Sequence, residues 1–135
     1  MSKGIGGTAR LVSQDEEILI YKYAPYNLNC ELYRNKECIF DGTITISKDG
    51  LVEPEIHKNI KKMPTGGTEL IVKRIRKDIN YSILLKEDKI VVENSSFCWN
   101  ILNNGVGYIA MHIVFKIFNK YQDTGIVPET VSYNV

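Results

Sequence analysis

Residues 106–122 carry the pattern that most constrains the fold. Ala110, Ile113, Val114, Ile117, Phe118 and Tyr121 recur at helical spacing, and Met111 and Phe115 widen the apolar stripe. Only His112, Lys116, Asn119 and Lys120 break it. A helix this apolar must be covered, and the simplest cover is the face of a sheet. Gly125 fits a left-handed C-terminal cap and Pro128 follows it, so the helix is expected to stop there.

The rest of the chain reads mainly as strands. Residues 8–13 and 18–23, joined by Gln14-Asp15-Glu16-Glu17, predict a β-hairpin. In its second arm Ile18 and Ile20 share one face and Leu19, Tyr21 and Tyr23 the other, which places that strand inside a sheet. Residues 38–47 predict a strand with Phe40, Ile44 and Ile46 on one side and Ile39, Thr43 and Thr45 on the other, followed by an Asp49-Gly50 turn. Residues 54–63 predict a short helix: Pro54 suits its first position, Glu53 and Glu55 its positive end, Lys61 and Lys62 its other end, and Ile56, Ile60 and Met63 form a stripe. The β-branched Ile71, Val72 and Ile75 after Gly66-Gly67 favour a strand over 68–77. A helical turn is expected within 80–87 and a strand over 89–93. Residues 24–37, with Pro25 and several asparagines, have no period and read as irregular. Strands outnumber helices without β-α-β alternation. The expected architecture is α+β: a single domain with a mainly antiparallel sheet of four to six strands and the long C-terminal helix on one face.

A chain of 135 residues with 44% hydrophobic content has enough core for one domain without metal or disulfides. Its net charge of +1 separates it from dedicated nucleic-acid binders and from acidic mimics of nucleic acid, so any electrostatic role is local. Cys30, Cys38 and Cys98 are odd in number and form no CxxC pair, and His57 and His112 are far apart; neither a disulfide framework nor a zinc site is expected. The first residues lack the apolar run of a signal peptide, and the longest apolar stretch, 108–118, is short for a bilayer span. A cytoplasmic location is expected, with no membrane partner and no cofactor.

Motifs for chemistry are sparse. Gly4-Ile5-Gly6-Gly7-Thr8 lacks the preceding strand and the lysine of a phosphate loop, and is expected to form a flexible N-terminal arm over about residues 1–7. Cys98 with His112 is the only thiol–imidazole pairing to weigh, and free cysteine more often packs as a small hydrophobe. His57 is expected on a helix surface. Asp41, beside Phe40 and Gly42, suits a bulge or strand edge as well as acid–base work.

Two surface features stand out instead. Lys58, Lys61, Lys62, Lys73, Arg74, Arg76, Lys77, Lys86 and Lys89 crowd the middle third, against Glu69, Asp78, Glu87 and Asp88. Lys73, Arg74, Arg76 and Lys77 are the anion-binding candidates; a basic edge strand also deters aggregation. Tyr21, Tyr23, Tyr26 and Tyr33 with Arg34 form an aromatic cluster, of a kind enriched in binding hot spots; the alternative is that Tyr21 and Tyr23 pack on the sheet while Tyr26 and Tyr33 brace a loop. Tyr26, Tyr33 and Arg34 are expected on one exposed surface beside the acidic turn Asp15, Glu16 and Glu17. The leading expectation is a protein-binding module such as a toxin-inhibiting immunity protein. A nucleic-acid accessory protein using the basic middle third is the alternative, and a small enzyme the third reading.

Overall fold

The computed structural model describes residues 3–135. In chain order the elements are β1 (Ile5–Gln14), β2 (Ile18–Asn27), β3 (Gly42–Ser47), β4 (Glu55–Lys62), β5 (Thr68–Ile75), α1 (Tyr81–Lys86), β6 (Ile90–Glu93), α2 (Tyr108–Thr124) and β7 (Thr130–Asn134). Short 3-10 turns occupy Glu31–Tyr33 and Lys48–Gly50. The fold is α+β. Five strands form an antiparallel sheet in the order β6-β3-β2-β1-β7, and β4 and β5 form a second sheet of their own.

Strand β2 lies at the centre of the main sheet, and its alternation explains why. Leu19, Tyr21 and Tyr23 are buried on the side that receives α2, together with Ala9, Ile44, Ile46, Ile90 and Val131 from the neighbouring strands. From α2, Ile113, Val114, Ile117 and Phe118 meet them, each at most 1% exposed. The opposite sheet face is mixed: Ile18, Ile20 and Val91 lie there among threonines, serines and charged side chains. There Lys22 Nζ bonds Thr43 Oγ1 at 2.6 Å, and Thr8 and Ser132 hydroxyls meet at 3.2 Å. An antiparallel sheet with one covered and one wet face has this alternation. Helix α2 ends where the sequence placed its cap: Gly125 is left-handed (φ 74°) and its N–H bonds the Tyr121 carbonyl at 2.7 Å. None of the described helices is long and apolar enough to cross a membrane.

Four expectations are corrected. Of the expected N-terminal arm, Met1 and Ser2 lie outside the described residues, but Gly6 and Gly7 are buried inside β1, between β2 and β7. A Cβ on Gly6 would sit 2.3 Å from the Tyr133 carbonyl oxygen, and one on Gly7 would sit 2.8 Å from Ile109. These glycines permit close approach rather than flexibility. Residues 55–62 form a strand, not a helix. A spacing of four, as between Ile56 and Ile60, is common to both periods, so only Met63 distinguished the helix. Strand β2 extends to Asn27 through Pro25, into the segment read as irregular. Pro25 is tolerated because β3 stops pairing at Gly42↔Tyr23, leaving β2 one neighbour at that level. Finally, β3 starts at Gly42, so Phe40 does not share the face of Ile44 and Ile46; its ring lies under the Arg10 guanidinium, 4.1 Å from the centroid.

Candidate functional site

The largest departure from ordinary burial is the β4–β5 ribbon. Its strands pair in register from Glu55↔Ile75 to Lys62↔Thr68, closed by a turn in which Met63 N–H bonds the Gly67 carbonyl at 2.8 Å. Every residue of β4 is exposed, and so is every residue of β5 except Arg74. The exposed residues include large hydrophobics: Ile60 at 75%, Leu70 at 60%, Val72 at 49% and Ile56 at 47%, with Ile71 and Ile75 on the other side. A two-stranded ribbon is marginal by itself in water, and exposed apolar clusters of this kind mark interaction surfaces.

The ribbon is held at its base by the C-terminal end of α2. Arg74 Nε donates to the Gln122 carbonyl at 3.0 Å. Arg76 grips Asp123 with two bonds, at 2.7 and 2.5 Å. The buried Gln122 side chain closes a ring with the Lys77 backbone, accepting its N–H at 2.7 Å and donating to its carbonyl at 3.2 Å. Cations at a helix C-terminus also meet the negative end of its dipole. The result is an anchored arm with a free shaft and tip.

Its two faces differ in charge. Register places Ile56, Lys58, Ile60 and Lys62 beside Arg74, Val72, Leu70 and Thr68 on one face, with three cations and no carboxylate. The other face balances Lys61 and Lys73 with Glu55 and Glu69, and there His57 Nε2 lies 2.9 Å from Glu55.

The residues singled out from sequence fall in three places. Lys73, Arg74, Arg76 and Lys77 all lie toward the base of the arm, but Lys73 is on the face opposite Arg74, and Arg74 and Arg76 are bonded to α2. Asp15, Glu16 and Glu17 form the β1–β2 turn, where the N–H groups of Ile18 and Glu17 bond Asp15 Oδ1 and hold its carboxyl below the usual range. Tyr26, Tyr33 and Arg34 are at the far end of β2, roughly 26 Å away at about 3.3 Å per residue. The expected single surface therefore does not form. Tyr26 is braced to Asn134 at 2.8 Å and Arg34 to the Leu28 carbonyl at 3.2 Å, all three being half-buried. Among the side chains this loop exposes are two large aliphatic ones, Leu32 at 79% and Leu28 at 55%, beside the charged Glu31, Lys36 and Glu37.

The candidates for catalysis have structural partners. Cys98 Sγ donates to the Asn100 carbonyl at 3.4 Å, and burial pushes its thiol up, away from the reactive thiolate. His112 stacks on Tyr133 at 4.4 Å, nearly parallel, and burial holds its imidazole below the usual range. Asp41 accepts from the Ser95 and Ser96 hydroxyls and from Ser96 N–H. Burial alone would raise its carboxyl, but these donors outweigh it and the net shift is downward. With Ser95 N–H bonded to Tyr23 OH at 3.0 Å, this cluster pins the segment after β6 to the start of β3. The cavity beside Cys98 and Trp99 measures about 10 Å³, room for one water at most. Among the described residues no three His, Cys, Asp or Glu side chains converge to hold a metal.

In comparisons with known proteins, the chain matches no family model, no curated protein and no solved structure.

Proposed function

We propose that this is a cytoplasmic protein-binding module that presents the β4–β5 arm to its partner and acts by covering the partner's surface, as an immunity protein covers a toxin. The observation that carries this reading is the exposure of Ile60 and Leu70, paired across the ribbon, on an arm that is otherwise fixed to α2. Large aliphatic side chains held in water on a rigid support gain free energy when a partner covers them, about 25 cal/mol per Å² of apolar area. The arm has no Phe, Tyr or Trp, and its one aromatic ring, His57, lies on the face away from Ile60 and Leu70, which weighs against a stacking platform for single-stranded nucleic acid.

The test is the double variant Ile60→Ser with Leu70→Ser. Both positions are solvated, so the fold should persist. Affinity for a partner co-purified from the native host is expected to fall by roughly 2 kcal/mol or more, read by calorimetry. Undiminished affinity would move the interface to the loop bearing Leu28, Leu32, Tyr33 and Arg34.

A cytoplasmic location fits the three cysteines, all of which are free. Timed alkylation read by mass spectrometry should modify the exposed Cys38 first and the half-buried Cys98 last, with all three thiols titrating after denaturation without reductant. Recovery of only one thiol would rule out a reducing compartment.

A further inference from the structure

The apolar patch on the arm cannot be covered without also covering cations. Along β4, Lys58 stands between Ile56 and Ile60 on the same face and opposite Val72, while Lys62 follows Ile60 toward the tip. A partner that covers Ile56, Ile60, Leu70 and Val72 also covers the Lys58 stem between them and draws its ammonium to the interface. An ammonium taken from water without a counter-charge costs more than such a patch returns. This face carries no carboxylate of its own, so the counter-charge must come from the partner. A second copy of the arm would set lysine against lysine. A phosphate backbone would satisfy the lysines but leave the aliphatic side chains against polar groups.

The outer edge of β4 is also unpaired among the described residues. An extended segment added there would have side chains on this face at every second position. Beside Ile56, Lys58, Ile60 and Lys62, those side chains should run apolar, acidic, apolar, acidic. Resting on the arm as the interface, we infer that the partner contributes an extended acidic segment, with apolar and carboxylate side chains alternating on one face, which docks along β4 against Lys58 and Lys62.

The experiment uses the full chain and fluorescently labelled peptides in which leucine and glutamate alternate at every second position, with threonine between. Anisotropy should report binding of this peptide. A matched peptide with serine for leucine, one with lysine for glutamate, and oligothymidylate should bind wild type more weakly. In the variant Lys58→Glu with Lys62→Glu, affinity for the leucine–glutamate peptide should fall about tenfold or more, and the leucine–lysine peptide should become the preferred ligand. Circular dichroism checks that both chains are folded. Absence of binding by the leucine–glutamate peptide, an unchanged variant, or equal binding of the serine peptide or oligothymidylate would each overturn the inference. If the serine double variant loses the native partner while the charge-reversed variant keeps it, the arm is the interface but does not read acid. If the serine variant keeps the partner, the arm itself is excluded.

Discussion

Phe118→Ala should lower stability by about 3–5 kcal/mol, the range for removing a buried aromatic side chain. Phe118 is 1% exposed and sits where α2, the sheet and α1 meet. Its ring takes Tyr81 edge-on, with centroids 5.5 Å apart, and Tyr81 in turn packs on Phe115 at 4.7 Å. The truncation therefore removes apolar burial and one partner of an aromatic pair, and leaves a space that α1 must collapse to fill. Phe115, which is only partly buried, supplies the control: Phe115→Ala should cost less than half as much. Urea denaturation followed by circular dichroism reads both. An unchanged midpoint for Phe118→Ala would mean that α2 is not the element that covers the sheet.

The same helix shows what the sequence could and could not convey. The face of α2, its glycine cap and the central place of β2 were legible because each rests on a local period. A helical stripe and a strand with apolar residues on both sides leave few ways to satisfy burial. Strand β7 carries little local signal: Thr130–Asn134 is a short edge strand with one fully buried residue, Val131, and Tyr133 partly buried against the core. The arm was half legible. Residues 68–75 read as a strand from their β-branched content, but 55–62 kept a helical reading because no core imposes a period on an exposed ribbon. Its alternation of Ile56, Lys58, Ile60 and Lys62 at every second position was the available signal, and it made sense only with the complementary Leu70 and Val72 opposite.

The candidate site was less legible than the fold for a related reason. Charge content located the basic middle third but not which cations were free. Arg74 and Arg76 look equivalent to Lys58 and Lys62 in sequence, yet the first two bond the end of α2 and the last two remain on the shaft. That sorting depends on contacts across more than forty positions, between residues 74–77 and 122–123. No local pattern encodes it. The tyrosines of residues 21–33 divide: the alternation of β2 places Tyr21 and Tyr23 on the sheet, whereas no local period tells that Tyr26 and Tyr33 are half-buried rather than exposed. Tyr21 and Tyr23 are core residues whose hydroxyls meet the Pro128 carbonyl and the Ser95 N–H, and burial pushes the Tyr23 phenol up to about 12.

Gln122→Leu should separate the arm from the body while leaving the helix intact. Leucine matches glutamine closely in size and is the better helix former, so packing at this 1% exposed site should survive. What is lost is the ring of two hydrogen bonds to the Lys77 backbone, at 2.7 and 3.2 Å. Lys77 is exposed, so water can reach part of its freed backbone, and the loss should cost roughly 1–2 kcal/mol in all. The Arg74 and Arg76 contacts reach the backbone of Gln122 and the side chain of Asp123, so they persist but lose the segment that aims them. Because β4 and β5 bury almost nothing of their own, the loss should appear first in the arm. Amide exchange in β4 and β5 should accelerate well beyond that in β1, β2 and β3, and affinity for the partner should fall as the arm loses its fixed direction. Uniform acceleration across the whole chain would instead make Gln122 a general core residue. No acceleration in the arm would show that Arg74 and Arg76 suffice to hold it.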